Sequence, residues 1–505
     1  MNDTSIKYRA LRGAGWMISW RFLTRILGLV STSIIARILV PADFGLVALA
    51  YALSKAIDAT AFLGIDLILL REPEFDEKLY STGFTISLLR SAATAIVVTL
   101  LAERAAVLFN EPRLSSILYL FSVGLLFEGS ENLGAVEFRK TLQFRQEFIL
   151  FAIPRMIAVL FSIALAIAFK SYWSIVIGAL SFKISRTGLS YILHPFRPRL
   201  TLVAWKRLCR FSIWMWVAGL ATFVRDRADT FVVGRMMNTT NLGLFSAAVE
   251  IAILPITEIV EPLSRVLFPG ISAAYRNGME VGEAVSRSIG AVTFILLPAA
   301  VGVSLMSAPV IYAALGPSWI DGYPLVQIIA PFAVGAAFSS VISSAFVVLG
   351  NPRLVTIITV MLAMLRPLLV VLGLLKGGLR GVAAAIALSY LLEAAFYVAA
   401  LTWLKRFWIR LLIGQLWRTV ISTSMMVAVV VGLGLGLGPS PQGTGVALVQ
   451  LILGTIVGVG TYTAIVFTLW ALSGYPDGPE ELVSSLIFPR IAAAARALRL
   501  ACSGV

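Results

Sequence analysis

Long apolar stretches separated by short polar segments run along almost the whole chain. A membrane-spanning helix needs about twenty mostly apolar residues, because the hydrocarbon core of a bilayer is roughly 30 Å thick. The hydropathy pattern predicts about fourteen such spans, which we number in chain order. They cover 14–38, 43–67, 82–108, 114–136, 148–169, 172–193, 211–236, 241–264, 288–314, 323–349, 354–376, 380–403, 412–437 and 445–472. The pattern therefore predicts an all-α integral membrane fold.

Basic residues are unevenly distributed between the connecting segments, and this distribution predicts the orientation. Segments on one side carry most of the Lys and Arg, beginning with Lys7, Arg9 and Arg12 ahead of span 1. The loops on the other side carry only Arg37, Arg113, Lys170, Arg235, Lys376 and Arg380. Because cytoplasmic loops collect Lys and Arg, we predict a multi-pass protein of the bacterial inner membrane with both termini in the cytoplasm.

The composition excludes a soluble multidomain protein. Of 505 residues, 59% are hydrophobic and 13% charged, whereas soluble domains carry about 25% charged residues. The net charge of +15 could indicate nucleic-acid binding, but cytoplasmic loops account for it, and we predict no nucleic-acid partner. Two cysteines, one histidine and no Walker A sequence give no enzyme signature. We predict a non-enzymatic chain without a cofactor or metal.

A weak internal repeat relates the two halves of the chain. At an offset of 198 residues, ARILVPADFGLVALA at 36–50 aligns with GRMMNTTNLGLFSAA at 234–248, so that Gly45 falls on Gly243. This offset equals six spans, an even number, which predicts parallel repeats related by an axis along the membrane normal. The predicted domains are an N-lobe at 1–198, a C-lobe at 199–404 that starts with an interfacial linker, spans 13 and 14 at 405–475, and a cytoplasmic tail at 476–505.

Two basic segments, 199–210 and 485–500, interleave apolar and basic side chains. This pattern is typical of helices that lie in the headgroup layer. A solvated basic linker would show the same composition, and both interpretations stay open from the sequence.

Charged residues inside the predicted spans are the candidates for function. A charge near the bilayer centre costs roughly 2.5–3.5 kcal/mol on insertion scales, so it needs a polar cavity or a partner. The substrate-binding candidates are Arg21, Arg25, Lys55, Arg90, Arg225 and Arg227. The ion-coupling candidates are Asp58, Asp226, Asp229 and Glu250. The excess of cations in spans 1 to 3 suits an anionic ligand, and Arg recognises phosphate oxygens through its planar fork.

Each of these charges also has a structural interpretation. Arg21 could reach the inner headgroups, and Lys55 with Asp58 could be a self-neutralised pair. Arg366 and Glu393 belong to the same buried set with a weaker case for function. The carboxylates nearer the cytoplasmic side are assigned structural roles; they are Glu128, Glu131, Glu258 and Glu261.

The turn between spans 1 and 2 carries a more specific pattern, A-R-x-L-x-P-x-D-F-G. It is formed by Ala36, Arg37, Leu39, Pro41, Asp43, Phe44 and Gly45. Following a first span with Trp16 and Arg25, this turn resembles the Wzx-type polysaccharide transporters. These belong to the multidrug/oligosaccharidyl-lipid/polysaccharide (MOP) flippase superfamily, with MATE exporters and MurJ-type lipid II flippases as relatives.

The resemblance implies two six-helix lobes around a cationic cavity, plus two extra helices. It implies a flippase that moves undecaprenyl-diphosphate-linked oligosaccharide from the cytoplasmic to the periplasmic face by alternating access, for O-antigen, capsule or exopolysaccharide synthesis. The implied partners are this lipid-linked oligosaccharide and membrane lipid, with a polysaccharide polymerase and a chain-length regulator as further candidates. MurJ-like relatives hold the diphosphate with arginines of their first two helices, and Arg21, Arg25 and Lys55 are the nearest positions in this chain.

Two other functions stay open from the sequence. The first is an ion-coupled MATE-type multidrug exporter, against which the cation-rich spans 1 to 3 argue. The second is a scaffold subunit of a polysaccharide synthesis complex without transport of its own.

Overall fold

The structure is a computed structural model that describes residues 23–60, 64–72, 74–209, 212–404, 409–437, 441, 443–476 and 478–481. Every regular element in these ranges is helical. The described residues form two compact units, which divide between Gly243 and Leu244. The predicted lobe boundary at 198/199 stays a prediction.

The helices of the first unit follow one another through short connections. They are α1 (23–38), α2 (Pro41–Thr60), α3 (Ile65–Arg71), α4 (Glu77–Leu108), α5 (Arg113–Gly129), α6 (Glu137–Lys140), α7 (Phe144–Phe169), α8 (Trp173–Leu193), α9 (Trp205–Cys209) and α10 (Ser212–Met236). A 3₁₀ turn, Leu133–Val136, precedes α6.

Helix α11 (Thr239–Ala252) crosses the division between the units and continues through a π-helical turn, Ile256–Val260. The helices that follow are α12 (Glu261–Arg276), α13 (Val281–Leu305), α14 (Ser307–Ala314), α15 (Tyr323–Phe332), α16 (Val334–Val348), α17 (Pro352–Trp403), α18 (Ile409–Gly432) and α19 (Thr444–Leu472), with a 3₁₀ turn at Pro317–Gly322. Helix α17 is a hairpin, because Gly377 and Gly378 leave the helical conformation and Gly378 adopts a φ of 56°.

Within the described residues, eight helical segments are long and apolar enough to cross a membrane. They are Glu77–Leu108, Phe144–Phe169, Thr239–Val260, Val281–Leu305, Pro317–Val348, Pro352–Trp403, Ile409–Gly432 and Thr444–Leu472. The prediction of an all-helical, multi-pass membrane fold is therefore confirmed. Each predicted span overlaps a described helix, but fourteen crossings stay a prediction.

The structure agrees with the register of the internal repeat. Helix α1 ends at residue 38 and α2 begins at Pro41, while α10 ends at Met236 and α11 begins at Thr239, which is the same 198-residue offset. The two turns also pack on each other within the first unit. A Cβ on Gly45 would lie 1.9 Å from the carbonyl oxygen of Thr239, and one on Gly243 would lie 1.8 Å from that of Pro41. Only glycine allows these backbones to approach so closely.

Predicted span 10 is one apolar stretch in the sequence but two helices in the structure. Helix α15 ends at Phe332, directly after Pro331. Proline has no N–H, and its ring pushes against the carbonyl four residues earlier, so the helical hydrogen bonding is interrupted here, although Ala333 keeps helical dihedral angles. That carbonyl belongs to Gln327, and it accepts a hydrogen bond from the Ser304 hydroxyl of α13 at 2.9 Å. A neighbouring helix therefore satisfies the freed backbone group.

The basic linker at 199–210 is helical only over Trp205–Cys209 among its described residues. Residues 199–202 have no regular secondary structure and lie along the start of α4. Three hydroxyl groups of α4 accept backbone N–H groups of this segment: Ser81 from Arg199 (3.4 Å), Thr85 from Thr201 (2.9 Å) and Thr82 from Ala204 (3.3 Å). The linker is thus tied to the first unit by its backbone. The other basic segment, 485–500, lies outside the described residues.

The connection after α5 is fixed by a fully buried asparagine. The Asn132 amide donates to the carbonyl of Phe196 at 2.8 Å, and its side-chain oxygen accepts from the N–H of Gly134 at 2.9 Å. Phe196 also packs against Tyr80 in the apolar cluster at the start of α4. The end of α5 and the chain after α8 are therefore held together.

Candidate functional site

A cavity of about 470 Å³ lies between five helices of the first unit, α1, α2, α5, α7 and α8. Its lining is Ser31, Thr32, Ile35, Phe44, Tyr51, Lys55, Glu128, Glu131, Arg155, Ala158, Val159, Ser162, Ile175, Gly178, Ala179, Phe182, Lys183, Arg186 and Thr187. The volume is large enough for a charged headgroup, since small-molecule pockets begin at about 300 Å³.

The cavity is polar at one end and apolar at the other. On α8, Ile175, Gly178 and Ala179 come first, and Lys183 and Arg186 follow one to two turns later. Helix α2 runs in the same direction as α8, so that Phe44 lies at the apolar end and Lys55 at the charged end. The cavity lining contains six Lys, Arg and Glu side chains, and all of them lie at this charged end. They are Lys55, Glu128, Glu131, Arg155, Lys183 and Arg186.

Glu128, at the end of α5, joins two lysines from different helices. Its Oε1 lies 3.5 Å from the Lys55 Nζ of α2, and its Oε2 lies 2.9 Å from the Lys183 Nζ of α8. The Glu128 side chain keeps 34% of its surface exposed. This carboxylate therefore bridges three helices at the edge of an open space.

Two further ion-pair groups complete the charged end. The Arg186 guanidinium donates to Glu131 at 2.9 Å from Nη2 and 3.0 Å from Nε. Lys55 Nζ also lies 3.3 Å from Asp58 Oδ2, and the other oxygen of Asp58 accepts from Arg90 of α4. Each pair satisfies the rule that a charge at membrane depth needs a partner.

The cavity lining as a whole carries an excess of positive charge. Its basic members are Lys55, Arg155, Lys183 and Arg186, and its acidic members are Glu128 and Glu131. The formal charge of the lining is therefore +2. Arginine and lysine donors in a poorly hydrated space form strong charge-assisted hydrogen bonds to phosphate. The arrangement can hold a compact dianion.

Glycines bring the helices close enough to form this arrangement. A Cβ on Gly124 of α5 would lie 3.1 Å from Lys183 Cδ, so the lysine stem crosses α5 where no side chain stands. At the apolar end, a Cβ on Gly178 would lie 1.7 Å from the Ser162 hydroxyl of α7. Within the described part of the chain, no group of three His, Cys, Asp or Glu side chains could hold a metal ion.

The region that holds this cavity matches a known protein family. Residues 34–324, more than half of the chain, match the family described as "Polysaccharide biosynthesis protein". The chain belongs to this family. Its relatives include the succinoglycan biosynthesis transport protein ExoT of Rhizobium meliloti (strain 1021), 22% identical over 63% of this chain and 65% of ExoT. The match thus spans just under two thirds of the length of ExoT.

A second relative of this polysaccharide biosynthesis protein is the lipopolysaccharide biosynthesis protein WzxC of Escherichia coli (strain K12). It is 20% identical over 64% of this chain and 67% of WzxC. Among solved structures, the lipid II flippase MurJ in an inward closed conformation matches with a TM-score of 0.72. It is 16% identical, and the match covers 90% of this chain and 98% of MurJ. The fold is thus the MOP flippase fold, and the predicted family is confirmed.

The named relatives include a transport protein and a flippase. These are names of transport proteins and not of enzymes, and the transport activity of this chain itself belongs to the proposed function.

The structure brings together three of the predicted site residues, Lys55, Asp58 and Arg90, beside the cavity. Arg25 of α1 is half-buried and lies on the same helix stripe as Thr32, seven residues later, which lines the cavity. Arg21 lies outside the described residues. The roles of these residues stay predictions.

The remaining predicted site residues lie away from the cavity lining. On α10, Arg225 pairs with its neighbour Asp226 at 2.8 Å, and Arg227 is exposed. Asp229 is buried, and its carboxylate accepts from the backbone N–H of Thr230 at 2.7 Å. The last candidate, Glu250 of α11, is exposed. These positions also stay predictions.

The sequence-based reasoning missed three cations of the cavity, Arg155, Lys183 and Arg186. They lie in predicted spans 5 and 6, where the expectation that a charge at membrane depth is functional applies as much as in spans 1 to 3. Lys183 and Arg186 are also three residues apart, on one helix face. Glu128 and Glu131 were assigned structural roles, and the structure places them on the cavity wall.

The second unit also buries charged residues that no sequence motif links. Arg366 and Glu393 are buried on the two arms of α17, and the Arg366 guanidinium lies 5.4 Å from the centre of the Tyr390 ring. Arg418 of α18 and Glu480, beyond α19, form a buried ion pair at 2.6 Å. The side chains are 4% and 0% exposed.

Proposed function

We propose that this protein flips undecaprenyl-diphosphate-linked oligosaccharide from the cytoplasmic to the periplasmic face of the inner membrane by alternating access. The products would be O-antigen, capsule or exopolysaccharide. Its family and its similarity to ExoT, WzxC and the lipid II flippase MurJ support a lipid-linked glycan as the substrate class. The orientation with both termini in the cytoplasm belongs to this proposal, as do a polysaccharide polymerase and a chain-length regulator as partners.

The observation that carries the proposal is the excess of two positive charges at one end of the cavity. A disubstituted diphosphate carries two negative charges at neutral pH, which match this excess. Lys55, Lys183 and Arg186 converge on one space from two helices and supply donors to phosphate oxygens. Arg25, two turns before Thr32 on the same stripe of α1, is proposed to extend the positive field together with the predicted residues Arg21 and Arg90.

The remaining predicted residues enter the proposal at other steps. Arg225 and Arg227 are proposed to contact the ligand during translocation. The carboxylates Asp58, Asp226, Asp229 and Glu250 are proposed to couple an ion to transport, since carboxylates at membrane depth act in proton relays.

The test is the accumulation of lipid-linked oligosaccharide in a strain that lacks this chain. Complementation with wild type should clear the intermediate, whereas Lys183→Gln and Arg186→Gln should clear it at least about tenfold more slowly, because a hydrogen bond to a charged group is worth ~1.5–3 kcal/mol. Membrane protein levels are measured in parallel by immunoblotting.

The matched control is Arg287→Gln. Arg287 forms an exposed ion pair with Glu283 on α13, in the second unit, and its loss should leave clearance unchanged. If Lys183→Gln also clears the intermediate at the wild-type rate, the cavity is not the diphosphate site. If no lipid-linked oligosaccharide accumulates without the chain, the substrate class is wrong, and a MATE-type exporter becomes the better hypothesis.

A further inference from the structure

The two oxygens of Glu128 are used separately. One contacts the Lys55 ammonium of α2, and the other contacts the Lys183 ammonium of α8. Two ammonium groups from different helices thus share one anionic group between them. A phosphate group placed in the same position would make the same two contacts.

The partners of Glu128 can exchange one anion for another. A lysine ammonium is a point charge with three donors on a flexible stem, so it can follow a new anion without strict geometry. Lys55 also has a second partner, Asp58, at 3.3 Å. It therefore keeps an ion pair when Glu128 moves away.

We infer that Glu128 is an internal competitor for the diphosphate of the substrate. Its carboxylate holds Lys55 and Lys183 when the cavity is empty, gives them up to the diphosphate on loading, and takes them back on release. This inference rests on the proposed function of the cavity as the diphosphate site.

Such an exchange solves an electrostatic problem of a binding site inside a membrane. Cations without partners at this depth are costly, and cations held permanently by carboxylates cannot bind substrate. A competing carboxylate keeps each lysine paired in both states. It also weakens substrate binding, which speeds release on the far side.

The inference predicts opposite changes in affinity and in transport. Glu128→Gln keeps the size of the side chain but removes its charge, and the charge of the cavity lining rises from +2 to +3. Undecaprenyl diphosphate should then bind about tenfold more tightly, equivalent to ~1.4 kcal/mol. Clearance of lipid-linked oligosaccharide in cells should become slower, since release is slower.

The measurement is equilibrium binding of undecaprenyl diphosphate to the purified full chain in lipid nanodiscs. Wild type, Glu128→Gln and Lys183→Gln are compared. Glu283→Gln is the control, because Glu283 forms an exposed pair with Arg287 outside the cavity. Undecaprenyl monophosphate, measured alongside, reports how much of the gain depends on the second phosphate.

Tighter binding by Glu128→Gln, with Glu283→Gln unchanged and transport slowed, supports the inference. Unchanged or weaker binding by Glu128→Gln, where Lys183→Gln still loses affinity, overturns the inference and leaves the proposed function intact. Equal affinities of wild type and Lys183→Gln overturn both, because the lysine then contributes nothing to diphosphate binding.

A purely structural role of Glu128 would give a different pattern. If its ion pairs only hold α2, α5 and α8 together, Glu128→Gln lowers the melting temperature and weakens binding. Glu131→Gln is the second variant, for the case that Glu128→Gln does not fold. Glu131 holds Arg186 at the same end of the cavity, and its neutralisation should also tighten diphosphate binding.

Discussion

Replacing Gly45 by Ala tests the contact between the two repeated turns. Gly45 lies in the first turn and a half of α2, where alanine would ordinarily stabilise a helix by roughly 0.5–1 kcal/mol. In this structure, however, the added Cβ would lie 1.9 Å from the carbonyl oxygen of Thr239 and 2.7 Å from the backbone nitrogen of Gly243. Both neighbours are backbone atoms, so no side-chain rotation can relieve the overlap.

The expected effect of Gly45→Ala is therefore destabilisation. A contact between carbon and oxygen needs more than 3 Å, so α2 and α11 must separate by more than 1 Å at this point. Overpacking of a tight contact costs typically about 1–3 kcal/mol, and a clash between backbones belongs at the upper end. The gain in helix propensity offsets only part of it. We expect a net loss of about 2 kcal/mol.

The assay is thermal unfolding of the purified full chain in detergent, followed by tryptophan fluorescence. A loss of this size lowers the melting temperature by several degrees, since about 1 kcal/mol shifts domains of 150–250 residues by ~2–4 °C. Gly188→Ala is the matched control. It makes the same change in α8, where a Cβ would meet no atom within 4 Å, and it should leave the melting temperature unchanged or raised.

Gly243→Ala should reproduce the effect of Gly45→Ala, because its Cβ would lie 1.8 Å from the carbonyl oxygen of Pro41. A melting temperature of Gly45→Ala at or above that of wild type would refute the close approach of the two turns. It would also show that the glycines shared by the repeats serve another purpose.

Three further predictions concern buried or half-buried polar groups. Arg418→Ala should destabilise the second unit by about 3 kcal/mol, because Glu480 is left as a buried unpaired charge; replacing both by Met and Leu should recover most of the melting temperature. Asn132→Ala should lower the free energy of unfolding by about 2 kcal/mol, since two buried backbone groups each lose a hydrogen-bond partner. Limited proteolysis should then cut the chain after α8 faster than in wild type. His194 is half-buried beside Phe75 and Phe138, and burial lowers its pKa below the usual 6.5, with Arg197 lowering it further and Glu137 opposing. The unfolded chain therefore binds the proton more readily than the folded chain. The contribution of His194 to stability is present above about pH 6.5 and is lost as the pH falls below that value. The melting temperature of His194→Gln should depend less on pH between 7.5 and 5.5 than that of wild type.

Much of the fold could be predicted from the sequence, because the bilayer imposes a length and a composition on each spanning helix. The repeat was also visible, since it preserved a glycine at the same place in two turns. The interruption within span 10 was harder to predict. Pro331 marked the position, but whether a proline kinks or ends a helix depends on a partner such as Ser304, which is distant in the sequence.

The candidate site was predicted only in part. Charge at membrane depth identified Lys55, because any charged residue in an apolar stretch stands out. The grouping of Lys183 with Glu128 could not be predicted, since it depends on how α8 packs against α5 at Gly124. Sequence spacing fixes which residues share a face of one helix, but it does not fix which helix lies opposite.

The polarity of the cavity connects the predicted orientation to the proposed function. Lys183 and Arg186 lie toward the end of α8 that leads into His194 and the basic segment at 197–210. If that segment is cytoplasmic, as the distribution of Lys and Arg predicts, the charged end of the cavity faces the side on which a lipid-linked oligosaccharide would be loaded. A diphosphate headgroup would then meet the cations first, and the apolar end beyond Ser162 would offer no competing anion site. The opposite orientation would place the cations on the side of release, where they would retain the product. A cysteine-accessibility measurement of residues 197–204 therefore tests the orientation and the direction of transport together.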